Sequence, residues 1–119
     1  MKLIYVAGPY TGKSYSEIDD NIMKAEDVSI MLFTKGWNVF TPHKNTSHYE
    51  RYEGVAGLDY HTWIETTKDM LRRCDAIIMM KEWERSSGSK DELEFATAMK
   101  IPIYYEKDGL PNASDLEQT

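Results

Sequence analysis

Four small residues and one carboxylate carry the clearest chemical suggestion in this chain. Ser86, Ser87, Gly88 and Ser89 precede Glu92 in the segment WERSSGSKDELEFATA. If a helix begins at these serines, its unpaired amides and the positive end of its dipole make an anion-binding site. Glu92 then falls in the first turn, where the dipole favours the ionised carboxylate and the side chain is placed to act as a nucleophile. The same spacing has a second meaning. Ser89 and Glu92 fit the S-x-x-E capping box, in which Glu92 bonds back to the Ser89 backbone as a structural residue, and spacing alone favours that reading.

Two other segments hold unusual residues. GPYTGKS (residues 8–14) resembles a phosphate-binding P-loop, but only three residues separate Gly8 from Gly12 where that motif needs four, so Lys13 and Ser14 fall out of register. A tight turn feeding a helix accounts for Gly8, Pro9 and Gly12. A ligand-binding reading adds close backbone approach at Gly8 and a flat surface at Tyr10. Residues 42–58 lack clear periodicity and contain His43, Lys44, His48, Tyr49, Arg51 and Tyr52. That basic and aromatic cluster suits a phosphorylated aromatic ligand, and a solvated loop explains it equally well. The histidines lack the closely spaced partners of a zinc site, so neither a metal nor another cofactor is expected.

The elements that must position these residues follow from hydrophobic period. KLIYVA (2–7) reads as a buried first strand stopped by Gly8-Pro9. Ile18, Ile22, Ala25, Val28 and Leu32 recur at helical spacing, with Ser14 and Glu17 at capping-box spacing and Gly36 at the stop, predicting a helix over about 17–35. Residues 37–41 form a second strand, and Trp63, Thr67, Met70, Leu71 and Cys74 share one face of a helix over about 59–73. A third strand spans 75–80, a third helix ends before Pro102, and a last strand spans 101–105 at a sheet edge, where proline costs no central ladder bond. The alternation predicts an α/β fold: a three-layer, flavodoxin/Rossmann-like parallel sheet of four to five strands with helices on both faces. Ligands of such sheets bind beyond the carboxyl ends of the strands, which selects the three loops above. Residues 1–105 are read as the domain, and 106–119 as a polar tail, either frayed or ordered against a second subunit.

Composition narrows the class. The 119 residues, 41% hydrophobic and 29% charged, suit one globular domain. Cys74 is the one cysteine, which fits a reducing cytoplasm. No apolar run approaches the ~20 residues of a membrane helix. A net charge of -6 disfavours a broad grip on nucleic acid, leaving a small molecule or a protein as partner.

IYVAGPYTG, NIMKA, KGWNVFTPH, CDAIIMMKEWERSSGSKDELEFA and IPIYY together resemble the nucleoside 2-deoxyribosyltransferase superfamily over about residues 3–105. The fourth block is the most specific. The resemblance implies cleavage or exchange of the N-glycosidic bond of a nucleoside or nucleotide. Glu92, in the E-L-x-x-A portion, matches the family's nucleophile, and Ser87, Gly88 and Ser89 match its 5′-phosphate site in relatives that prefer nucleotides. Tyr10 would lie near the sugar, and with Gly8 and His43 it completes the expected substrate-binding set. Relatives form dimers or larger assemblies, so a homo-oligomer is expected. One position departs: the family commonly carries an aspartate eight residues before the aspartate that opens the third strand, and here that position is Thr67. Asp69 is turned about 200° from it on a helix, and Asp59, ahead of the helix, is the other candidate. For both, helix-end or surface charge is the simpler reading. Two other readings remain: a non-catalytic nucleotide-binding module, which Thr67 supports, and a P-loop phosphotransferase, which the short loop opposes.

Overall fold

The N-terminal apolar run forms strand β1 (Leu3–Ala7) at the middle of a parallel sheet, in a computed structural model that describes residues 1–117. β1 pairs with β2 (Asn38–Phe40) on one side and β3 (Ala76–Met79) on the other. β4 (Ile103–Tyr105) lies beyond β3, so the order is β2-β1-β3-β4 with every pair parallel. The chain lays β2 on one side of β1 and then returns to lay β3 on the other. The carboxyl ends of β1 and β3 therefore flank the point where strand order reverses, the place where such sheets bind ligands.

The pleat divides the core into two. Ile4, Val6, Ala76 and Ile78 face one side, where they meet Ala25, Val28 and Leu32 of helix α1 (Tyr15–Thr34). Tyr5, Ala7, Ile77 and Met79 face the other, against Leu71 and Ala96. Those two belong to the longer helices of the second face, α4 (Tyr60–Leu71) and α5 (Ser87–Ala98). β1 and β3 are covered on both faces, which is why they read as continuous apolar runs and not as alternating ones. The result is the expected three-layer α/β sandwich, with four strands among the described residues.

Local chemistry sets the ends of α1. The Ser14 hydroxyl accepts from the Glu17 amide at 3.2 Å, and the Glu17 carboxylate accepts from the Lys13 amide at 2.6 Å. Gly36 follows the C-cap at φ +96°, a conformation that glycine adopts without strain.

Three expectations change. Residues 42–58 are not an irregular loop: they fold as α2 (Pro42–Asn45), a 3₁₀ turn (Tyr49–Arg51) and α3 (Glu53–Ala56). These elements are too short to show a helical period. Trp37 is not part of β2. It is fully buried in the α1-side core and donates its indole N–H to the Pro111 carbonyl at 2.9 Å. Residues 106–117 pack against the domain itself. The Ala113 amide donates to the Lys35 carbonyl at 3.0 Å, Leu110 and Leu116 pack on the α1-side core, and the chain ends its described course in α6 (Ala113–Glu117). Its few apolar residues sit where they cover the Trp37 side of the sheet, a placement hidden by the segment's polar average. Positions 118–119 of the expected tail lie outside the described residues. Among the described residues no helix is long and apolar enough to cross a membrane.

Candidate active site

Glu92 is the centre of the arrangement, and the way α5 begins explains its position. The N-cap is Ser86, whose hydroxyl accepts from the Ser89 amide at 3.1 Å. The helix thus starts three residues earlier than the Ser89–Glu92 capping box requires, and Glu92 moves into the second turn, away from any helix-end role. Its side chain turns inward, 6% exposed, and accepts a hydrogen bond at Oε2 from the Tyr5 hydroxyl. Tyr5 reaches it from the middle of β1, 87 positions earlier. The Thr67 hydroxyl, from α4, donates to the Ile64 carbonyl at 2.9 Å and lies near enough to both groups to favour their charged forms.

Burial pushes the Glu92 carboxyl up from 4.5 to about 7; the hydrogen bonds from Tyr5 and Thr67 pull it down, and the nearby Asp91 charge adds to the rise. Burial, followed by the Glu92 charge, also pushes the Tyr5 phenol well above its ordinary value, so Tyr5 remains a donor. Such a carboxyl is divided between its neutral and ionised forms near neutral pH and is sparsely solvated in both. That combination makes a usable nucleophile or base.

The serine-rich start of α5 lies one turn away. Ser89 is 1% exposed, and its hydroxyl has no partner among the described residues. Ser87 is exposed and Gly88 half-buried. Tyr60, the first residue of α4, donates its hydroxyl to Asp91. Burial of that hydroxyl and then the bond to Asp91 push the phenol up to about 12.

The loop after β1 is fixed by packing and by hydrogen bonds from residues 43–50. Gly8 is required by packing: a Cβ there would lie 2.5 Å from Met80 Sδ and 2.9 Å from Met80 Cβ. Gly8→Ala is expected to lower stability by about 1–3 kcal/mol in urea unfolding, because the overlap must be relieved by moving β1's exit or Met80. An unchanged midpoint would show that Met80 yields freely. His43 is 4% exposed, with Nε2 at 3.1 Å from both the Gly8 and Pro9 carbonyls. Two carbonyl acceptors place the proton on Nε2, and burial holds the ring below its usual pKa, so His43 is a neutral clamp on this loop. Tyr10 accepts from the His48 amide at 2.9 Å and donates to the Glu50 carboxylate, tying the loop after β1 to residues 48–50.

The other candidates have partners of their own. Asp59 is the N-cap of α4, accepting from the Thr62 amide and hydroxyl at 2.9 Å each, bonds that hold its carboxyl below the usual range. Asp69 is exposed and faces Arg72 and Arg73 at 3.5 and 3.9 Å. The basic cluster of residues 44–51 is engaged by α1: Lys44 pairs with Glu26, and His48 and Arg51 with Asp19. Its charge fastens α2 and the following turn to α1. Among the described residues no group of three His, Cys, Asp or Glu side chains converges as a metal site requires. A concavity of about 610 Å³ lies along the outer edge between α1 and β2, lined by Ile30, Phe33 and Phe40 among others, and does not include Glu92. Glu92 is singled out by its burial and its bond to Tyr5, not by the size of a cavity.

Tyr5 and Tyr60 escape a reading of the sequence alone. Tyr5 lies within an apolar run and counts there as a core aromatic. The available signal was that a buried tyrosine needs a partner for its hydroxyl, and none stands near it in sequence.

The family described as Domain of unknown function (DUF4406) matches residues 2–105. Among solved structures the chain is similar to the Clostridium botulinum CMP N-glycosidase BcmB, with a TM-score of 0.52 and 19% identity, covering 98% of this chain and 81% of that chain. The likeness is one of fold. No curated protein matches the sequence.

Proposed function

The chain belongs to the DUF4406 family, and from that premise we propose that it cleaves the N-glycosidic bond of a nucleoside 5′-monophosphate or nucleoside with Glu92 as nucleophile. The observation that carries the reading is the buried Glu92 carboxyl, bonded to Tyr5 and one turn from the serine-rich start of α5. Tyr5 engages Oε2, which leaves Oε1 to attack the anomeric carbon. The electron pair of the C–N bond departs with the base, which then takes up a proton. Water next attacks the same carbon, the ester C–O bond breaks and the carboxylate is restored, so two inversions give net retention. If a second base reaches the intermediate before water, the outcome is base exchange. The free amides at the start of α5 and the Ser89 hydroxyl suit a 5′-phosphate, and the fold similarity to a nucleotide N-glycosidase supports the same substrate class.

Thr67, where the resembling superfamily commonly has aspartate, favours a second reading: a nucleotide-binding module without catalysis. Incubation with nucleosides and 5′-monophosphates, followed by chromatography, separates the two. Free base released by the wild type and not by Glu92→Ala is the expected result. A nucleotide that raises the melting temperature with no base released supports the binding module. No release and no thermal shift overturn both.

A further inference from the structure

The start of α5 is bounded on its far side by a residue from another helix. The Ser89 amide donates to the Ser86 hydroxyl and the Lys90 amide to the Ser86 carbonyl, so the amides of Ser87 and Gly88 are the ones the helix leaves unpaired. Gly88 has no side chain, and a Cβ there would stand 3.9 Å from Ser86 Oγ and 4.0 Å from Tyr60 Oη. The gap beside Gly88 is therefore walled by two hydroxyls from different elements. In the same turn, the buried Ser89 hydroxyl has no partner among the described residues, a second sign that a polar group is to be received here. Tyr60 donates to Asp91, so a carboxylate holds the hydroxyl that faces this gap. The Tyr60 side chain is half exposed.

We propose that Tyr60 is a specificity-determining residue that reads the phosphate of a nucleoside 5′-monophosphate, its hydroxyl passing from Asp91 to a phosphate oxygen seated on the Ser87 and Gly88 amides. This rests on the reading of the α5 start as a phosphate site and extends it to substrate choice. A nucleoside lacking the phosphate leaves Tyr60 on Asp91 and gains nothing from it. Asp91 competes with the ligand in two ways: it holds the donor, and its charge opposes a second anion.

The test measures binding by calorimetry, using the common ribonucleoside 5′-monophosphates and the matching nucleosides. It compares Tyr60→Phe and Asp91→Asn with their parent, all in a Glu92→Gln background so that no ligand is consumed. Tyr60→Phe is expected to weaken monophosphate binding about tenfold or more, as loss of a hydrogen bond to a charged group does, and to leave nucleoside binding unchanged. Asp91→Asn is expected to tighten monophosphate binding several-fold. Equal weakening of both ligand classes by Tyr60→Phe, no change in either, or no monophosphate binding at all would overturn the proposal. Base release by the Glu92-intact protein is scored separately. Tyr60-dependent monophosphate binding without any release defeats the glycosidase reading alone. Release with unaltered binding discrimination in Tyr60→Phe defeats this inference alone.

Discussion

Glu92→Gln is expected to cut base release by about a thousandfold or more and, in the same protein, to raise stability above pH 7 by about 3 kcal/mol. Both effects come from one buried carboxyl. Folding raises its pKa from 4.5 to about 7, because burial disfavours the charge more than the Tyr5 and Thr67 hydrogen bonds restore it. The folded state therefore holds this proton more tightly than the unfolded chain. Stability from this group is greatest below about pH 4.5, falls as pH rises to about 7, and is level beyond. Glutamine keeps the shape and one acceptor oxygen for Tyr5 and has no charge to desolvate, so the variant escapes that fall. Activity runs the other way. The nucleophile must be ionised, so kcat/KM of the wild type should climb with pH, level off above about 7, and at pH 5 stand at about one hundredth of its plateau. Urea unfolding of both proteins at pH 5 and pH 8, with base-release profiles of the wild type, provides the check. A Glu92→Gln protein less stable than wild type at pH 8, with release intact, would make Glu92 a structural residue.

Trp37→Ala is expected to cost about 3–5 kcal/mol, a large part of the about 5–15 kcal/mol that holds a typical domain together. The ring is fully buried, meets Tyr104 edge-on at 6.2 Å between centroids, and donates to the Pro111 carbonyl. Its loss opens a cavity beneath residues 110–116 and orphans that carbonyl. Trp37→Phe separates the two contributions: it retains much of the ring and removes the N–H, for an expected cost of about 1–3 kcal/mol. Denaturant midpoints measure both. If Trp37→Ala cost less than about 1 kcal/mol, the segment after Tyr105 would not be docked as described.

Some parts of this protein were plain in the amino-acid order because their causes are local. β1 and β3 are buried on both faces, and a continuous run such as Tyr5-Val6-Ala7 or Ala76-Ile77-Ile78 has no other stable use beside a glycine or a polar turn. α1 shows its apolar face at helical period, its serine cap and its glycine stop within some twenty residues of one another. The edge position of β4 follows from one proline. From these alone come the parallel α/β layering and the choice of three candidate loops at the carboxyl ends of the strands.

The arrangement around Glu92 is different in kind. Ser86, Ser87 and Ser89 are each competent caps, and nothing nearby chooses among them. The choice is made by the exit of β3, through Glu82 at φ 69° and the 3₁₀ turn Trp83–Arg85, which delivers the chain to α5 with Ser86 at the cap. That shift turns Glu92 from a cap candidate into a buried carboxyl. Its partner Tyr5 comes from the first strand and Thr67 from α4, and the packing of α4 and α5 on the sheet brings them together. The sequence determined which elements form and which loops can hold chemistry, since periodicity, caps and breakers act over a few residues. Only the tertiary structure decided which carboxylate is desolvated and which hydroxyls meet it, because those energies depend on groups distant along the chain and adjacent in space.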